Sequence, residues 1–280
     1  LRRNTGPVEP RRTFADDDLE STYRSEGWVA IPLLDAGAAA ELRESIGDLI
    51  RVRPDQFAAT LYDADATYRA TVDERLRPVF EELLAPWVVR QRTFVANLLV
   101  KPPGTGTDLG VHQDWTFVDE QRWSSATVWC PLVDVDEANG TLEVLGRSHR
   151  IAPSWRGSPK LVSPYDGIEE EVRHHGTALR LPAGTAVVYD HRLVHWSRPN
   201  LSGGDRPAIG VGIVPAEAPL IHLRGGDAGI VEYTVPDDFL HDFSFGAPPR
   251  HTAVRRVEHQ PRALTIAAFL DRLVTVRGDV

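Results

Sequence analysis

Within GVHQDWTFVDE, residues 110–120, an imidazole and a carboxylate stand two positions apart: His112 and Asp114. On an extended strand that spacing puts both side chains on one side, as two prongs of a grip on a third atom. Downstream, YDHRLVHWSRPNLSGGDRPAIG, residues 189–210, supplies two more imidazoles, His191 and His195. Two histidines and one carboxylate on one face of a metal leave the opposite face open. That arrangement binds Fe(II) and admits oxygen and a cosubstrate. Zinc hydrolases use similar ligands. Ligand identity alone therefore leaves the metal open, as it leaves open which downstream histidine completes the set.

Rigid elements must hold these side chains. GWVAIPLL (27–34) reads as a short strand. Asp35 is placed to cap a helix through AGAAAELRESIGDLIRV, where apolar residues recur at helical spacing. A second helix is expected over 73–84 and a last one over 262–274. From Arg92 the texture changes to short β-rich runs at 93–101, 125–133, 140–145, 178–190 and 208–215, punctuated by Gly, Pro, Asn and Asp. Helices followed by many short strands suggest an α+β, mainly β architecture built on a barrel or sandwich. One domain is expected over 1–280. It comprises an N-terminal arm (1–26), a helical lead-in (27–92), a β core (93–215) and a C-terminal extension (216–280). A polar insertion at about 151–177 interrupts the core, and its length suggests a segment that covers a substrate. Trp115, Phe117 and Trp123 beside the first ligands, and Trp196 beside the distal histidine, suggest pocket walls.

Composition narrows the setting. The chain has 280 residues, 42% hydrophobic and 25% charged, with a net charge of −9. That is ordinary for a globular enzyme, and the negative balance argues against nucleic acid or an anionic membrane as partner. Cys130 is the single cysteine, so no intrachain disulfide can form. The opening residues carry no apolar signal core, no run reaches the ~20 apolar residues of a membrane helix, and a cytoplasmic location is expected. Three other signals fail. DVDEANG (134–140) lacks calcium-loop spacing. The Gly-Thr-Gly at 104–106 lacks the strand–helix context of a phosphate cradle. No nucleophile elbow appears.

The chain resembles the phytanoyl-CoA dioxygenase family of Fe(II)/2-oxoglutarate-dependent dioxygenases. The matching pieces are HQD (112–114), ANGTLEVLGRSHR (138–150) and DHRLVHWSRPNLSGGDR (190–206), in the family's order. The family pattern is His-x-Asp, then a Gly-Ser-His-like hairpin, then a distal His-x-Ser followed by Arg. One departure is Arg147, which stands within the hairpin where the family often reads Pro-Gly-Ser-His. Ser148 and His149 are accordingly read as a structural turn.

The resemblance implies a double-stranded β-helix core, a jelly-roll of cupin type, flanked by N- and C-terminal helices. It implies that His112, Asp114 and His195 hold Fe(II), with His195 favoured over His191 by its spacing to Ser197 and Arg206. Arg206 would fork onto the far carboxylate of 2-oxoglutarate, which suits a buried diacid. Ser197 would add a donor, and Trp129, Asn97 and Lys101 would lie beside the cosubstrate. With O2 as oxidant, the implied reaction is oxidation of an unactivated C–H bond: hydroxylation, desaturation, epoxidation or ring closure. Related halogenases lack the carboxylate, so Asp114 points to an oxygenase outcome. No cluster of Lys and Arg suits the phosphates of coenzyme A, which favours a small natural product as substrate. The oligomeric state is left open. The competing readings are a non-redox cupin-like metal hydrolase or isomerase, which has no use for Arg206, and a catalytically silent binding barrel.

Overall fold

The computed structural model describes residues 11–151, 154–159, 161–226, 229–246, 250–257 and 262–278. In chain order the elements are α1 (Asp17–Glu26), β1 (Trp28–Pro32), α2 (Ala36–Ser45), β2 (Ala58–Ala59), α3 (Ala66–Leu84) and β3 (Gln91–Lys101). Then come β4 (Leu109–His112), β5 (Ala126–Pro131), β6 (Glu143–Val144), α4 (Glu169–His174), β7 (Thr177–Ala178) and β8 (Thr185–Asp190). The chain continues with β9 (His195–Ser197), β10 (Arg206–Pro215), β11 (Ile221–Gly226), β12 (Gly229–Thr234), β13 (Ala253–Val257) and α5 (Ile266–Gly278). The class is mixed α and β. A six-stranded sheet runs β1-β8-β5-β10-β3-β2, a four-stranded sheet β4-β9-β6-β7, and a three-stranded sheet β11-β12-β13. The strand pairs are antiparallel throughout.

Period-two alternation divides the large sheet into two working faces. Ala96, Leu98 and Val100 of β3, Ala126, Val128 and Cys130 of β5, and Ile209, Val211 and Ile213 of β10 join one core with the helices. In α3 the contribution is a stripe of Tyr68, Val72, Leu76, Phe80 and Leu84. The alternate residues face the other way. Asn97 and Leu99, Thr127 and Trp129, Tyr189, and Arg206, Gly210 and Gly212 all line a cavity of about 430 Å³. The four-stranded sheet closes it from the far side through Leu109, Val111, His112, His195 and Ser197. Glycine is required at position 212, because a Cβ there would lie 2.5 Å from the Phe94 ring.

Three expectations need correction. Residues 11–26 are no arm: Phe14 is fully buried and bridges Val88, and Asp16 caps α1 by accepting from Asp18 N and Leu19 N. The residues 1–10 of that expected arm lie outside the described residues. The second helix begins seven residues early, at Ala66, with Asp65 capping it; Thr67, Tyr68 and Thr71 are weak helix formers that tertiary packing overrides. The region 216–280 contains a sheet, β11–β13, that no pattern announced.

Residues 151–177, with 152, 153 and 160 outside the described residues, pack against the rest of the fold. Arg156, Gly157, Leu161, Val162 and Ser163 line the cavity. Tyr165, Ile168 and Val172 form a second core with Phe269, Leu273 and Val276 of α5. Ser158 bridges Arg224 of β11, so this segment also fastens the third sheet.

Candidate metal centre

His112 and His195 are register partners on β4 and β9, with ring centroids 4.1 Å apart. Asp114 Oδ1 lies 3.9 Å from His112 Nε2 and 3.7 Å from His195 Nε2. Among the described residues this is the single group of three or more such side chains whose ligand atoms come within 4.8 Å of one another. Each histidine is oriented in the same way. His112 Nδ1 bonds the carbonyl of Gly110 at 2.7 Å, and His195 Nδ1 bonds that of Leu193 at 3.0 Å. A protonated Nδ1 donating to a carbonyl leaves Nε2 as a bare lone pair, the form a metal ligand needs.

Asp114 is held from two directions. Thr127 Oγ1 donates to Oδ2 at 2.7 Å, and Arg156 Nε donates to the Asp114 carbonyl at 2.7 Å. Burial works against the carboxylate charge. The neighbouring His195, His191 and His112 and the Thr127 hydrogen bond outweigh it and hold the carboxyl below its usual range. Arg156 in turn pairs with Glu120, Nη1 to Oε2 at 2.9 Å. Tyr189 packs its ring 4.6 Å from His195, and burial, followed by the Asp114 charge, keeps its phenol protonated.

His191, the other downstream histidine, is not one of the three. It lines the cavity, but its Nδ1 is 2.7 Å from Ser125 Oγ and its ring packs 5.0 Å from Phe117. Burial pushes its pKa down to about 4, so it is neutral.

Arg206 lies at the head of β10, 2% exposed, with its guanidinium carbon 5.4 Å from the Trp129 ring centroid. Its Nε and Nη1 are buried with no hydrogen-bond partner, and no carboxylate pairs with it among the described residues. Burial lowers its pKa to about 10, so it remains a cation. A buried, unpaired guanidinium is costly and calls for an anion. It shares the cavity with the three ligands.

The remaining expected site residues divide. Asn97, Trp129, Trp115 and Phe117 line the cavity, and Asn97 Nδ2 donates to Gly210 O at 3.0 Å. Ser197 also lines it, but its hydroxyl proton goes to Gly140 O at 2.8 Å, so it is no free donor. Lys101 does not line the cavity. It is fully buried and donates to Ser197 Oγ, Ser197 O and Arg198 O at 2.6, 2.9 and 2.6 Å, bracing the end of β9. Trp196 is fully buried on the opposite side of β9 among Tyr165 and Phe269, as a residue between two cavity-facing ones must be. Trp123 packs at the margin of a core with Phe239 and Leu240 and does not line the cavity. Ser148 sits in a turn where its Oγ accepts from Val194 N at 2.8 Å, next to the distal ligand.

Sequence reasoning missed Thr127, Tyr189 and Arg156. Thr127 was within reach, since it shares a strand face with Trp129 two positions on. Arg156 comes from the insertion and carries no local signal.

Residues 17–208 match the family described as Phytanoyl-CoA dioxygenase (PhyH). The peroxisomal phytanoyl-CoA dioxygenase of Bos taurus is 26% identical over 186 residues, 62% of this chain and 53% of that protein. The Arabidopsis thaliana phytanoyl-CoA dioxygenase is 24% identical over 161 residues, 56% of each. The chain thus spans about half the length of the curated relatives it matches. Among solved structures, the non-heme α-ketoglutarate-dependent carbocyclase SnoK from nogalamycin biosynthesis is similar, with a TM-score of 0.55 and 21% identity over 86% of this chain and 96% of that one. The epimerase SnoN, solved with Fe3+, α-ketoglutarate and nogalamycin RO, gives a TM-score of 0.52 and 21% identity over 73% and 85%. At such identities the likeness is one of fold. No helix among the described residues is long and apolar enough to cross a membrane.

Proposed function

Since this chain belongs to the phytanoyl-CoA dioxygenase family, we propose that it is an Fe(II)- and 2-oxoglutarate-dependent oxygenase acting on an unactivated C–H bond of a small molecule. The observation that carries this reading is Arg206, a buried cation without a partner in the same cavity as a two-histidine, one-carboxylate set. A hydrolase or isomerase on those ligands would leave that guanidinium unexplained.

The donor set fits iron. His112 and His195 each offer Nε2, Asp114 offers Oδ1, and all three ligand atoms lie on one side of a cavity large enough for further ligands. Held there, Fe(II) supplies the redox chemistry that couples O2 and 2-oxoglutarate to C–H oxidation. The chain does the rest. Arg206 binds the distal carboxylate of 2-oxoglutarate with two parallel hydrogen bonds, and Trp129 shelves the guanidinium from the side. Asn97, with one amide proton already fixed on Gly210, presents the rest of its amide to the cavity. Thr127 and Arg156 hold Asp114 so that one carboxylate oxygen stays on the metal side. Val111, Leu99 and Leu142 line the inner cavity and keep water from the reacting centre.

We assign the core to the double-stranded β-helix type, the large and four-stranded sheets being its two walls. The outcome would be hydroxylation, desaturation, epoxidation or ring closure rather than halogenation, since Asp114 supplies the carboxylate that related halogenases lack. The substrate is a small natural product, a reading supported by the biosynthetic setting of SnoK and SnoN. Anaerobic titration of the metal-free chain with Fe(II), then 2-oxoglutarate, tests the class. A weak visible absorption band on adding 2-oxoglutarate, diminished in Arg206→Ala, is the expected result. Iron binding without any band overturns the oxygenase reading.

A further inference from the structure

Large apolar side chains exposed on a folded chain mark binding surfaces when they cluster. Among the described residues, Tyr62 (51% exposed), Val162 (48%) and Phe245 (47%) are such side chains, and all three line the cavity that holds the metal ligands. The rings interlock with Trp115. Tyr62 lies 6.1 Å from Trp115 and 5.6 Å from Phe245, and Phe245 lies 6.1 Å from Trp115. They come from three distant parts of the chain: the turn before α3, the loop after β4, and the segment after β12. Each segment is tied down nearby, the loop after β4 by Thr116 N donating to Arg156 O at 3.1 Å. Arg69 of α3 donates to Leu240 O and to Phe243 O at 3.1 and 3.2 Å, and Arg224 donates to Phe245 O at 3.1 Å. Fixed backbones that bring two half-bared rings and the partly buried Trp115 to one mouth serve a ligand rather than the core.

Charge narrows the ligand. The one carboxylate lining the cavity, Asp114, belongs to the metal set. Of the two lining guanidiniums, Arg156 is neutralised by Glu120 and Arg206 is taken by the cosubstrate under the proposed function. The mouth therefore offers, among the described residues, no partner for a charged head. Tilted aromatic faces attract flat π surfaces and gain little over an aliphatic wall from a flexible chain.

We propose that Tyr62, Trp115 and Phe245 form the binding site for a neutral, flat ring system, the body of the substrate whose C–H bond reaches the metal ligands. This rests on the oxygenase reading for its chemistry and for the commitment of Arg206 to the cosubstrate, whereas the placing of the three rings does not depend on it. The cavity volume, about 430 Å³, suits a body of a few fused rings.

The test is fluorescence titration of the full, metal-free chain with N-phenyl-1-naphthylamine, a neutral probe with a flat fused naphthalene that carries one phenylamino group, with hexadecanoyl-coenzyme A as competitor. Neither metal nor cosubstrate is present, so the result is independent of the iron titration that tests the oxygenase class. Saturable one-to-one binding is expected, weakened about three- to tenfold in Tyr62→Ala and again in Phe245→Ala, the loss typical of an aromatic contact. Both rings are half exposed, so truncation spares the core, and Tyr62→Phe should bind as the wild type does. Hexadecanoyl-coenzyme A should not displace the probe. Absence of saturable binding, full retention in both alanine variants, or displacement by stoichiometric hexadecanoyl-coenzyme A overturns the proposal.

Discussion

Thr127 and Asp114 are joined by a hydrogen bond of 2.7 Å from Oγ1 to Oδ2, and this bond decides which carboxylate oxygen is free. Oδ1 is left facing His112 and His195. Thr127 sits on β5 of the large sheet, whereas Asp114 follows β4 of the four-stranded sheet. The bond therefore spans the two walls and orients a ligand on one from a strand on the other.

Loss of that bond should loosen the metal without removing a ligand. Thr127→Val keeps shape and drops the donor. Partners that orient a ligand are typically worth 10- to 100-fold in metal affinity, so we expect a loss of about that size. His112→Ala, Asp114→Ala and His195→Ala should each cost more. His191→Ala should leave affinity within about threefold, because its Nδ1 is committed to Ser125 and it lies outside the ligand set. Calorimetric titration with Zn(II) as an air-stable substitute reads all five. If His191→Ala strips the metal and His195→Ala does not, the distal ligand has been misassigned.

Arg206 should show the opposite signs in stability and in cosubstrate binding. A buried charge without a partner costs several kcal/mol, and an apolar side chain of similar length avoids that cost. Arg206→Met should therefore melt no lower than the wild type when both are free of ligands. Adding 2-oxoglutarate to the metal-loaded protein should raise the melting temperature of the wild type and leave the variant unmoved. A variant that melts lower yet keeps the cosubstrate shift would remove Arg206 as the clamp.

The parts of this site readable in the chain are those encoded within a few residues. His112 and Asp114 lie two apart, and the order from His195 through Ser197 to Arg206 belongs to one segment. Strand alternation also places Trp196 away from the cavity, between two residues that face it, although hydrophobicity beside a ligand suggested a wall. Lys101 and Ser197 misled because their chemistry suits a diacid, while the fold spends the Lys101 donors on Ser197 and backbone carbonyls and the Ser197 donor on Gly140 O. Thr127, Tyr189 and Arg156 reach Asp114 or its neighbours across sheets and from an insertion, so no local spacing reveals them. The third sheet was hidden for a related reason. β11 and β12 turn back on one another, but what they cover, Trp155 and Leu161, lies about sixty residues earlier.

Acid should weaken the fold through His222. This side chain is fully buried, with Nε2 2.9 Å from Ser158 Oγ and Nδ1 unpartnered. Burial first, and Arg224 second, push its pKa from 6.5 down to about 4. Between those values the unfolded chain binds the proton and the folded chain does not. Stability is then intact above pH 6.5, falls as pH drops toward 4, and levels off below it. The contribution is about 3 kcal/mol at most. Urea unfolding of the wild type and His222→Gln across this range should show a shallower acid slope in the variant. Parallel slopes would mean that His222 does not titrate with folding.

Gly157 should be intolerant of even a methyl group. It lies where the insertion crosses β11, and a Cβ on it would stand 2.0 Å from the carbonyl oxygen of Leu223. That carbonyl accepts from Ser158 N at 3.1 Å, so neither strand nor insertion can retreat without breaking the bond. Overpacking of this kind costs about 1–3 kcal/mol. The displaced segment carries Arg156, whose Nε holds the Asp114 carbonyl. Gly157→Ala should therefore lower both the urea midpoint and the Zn(II) affinity, although residue 157 touches neither histidine. Gly203→Ala, where an added Cβ meets nothing within 4 Å, is the control and should change neither. A Gly157→Ala protein with full stability and unaltered Zn(II) binding would show that the insertion does not brace the metal ligands.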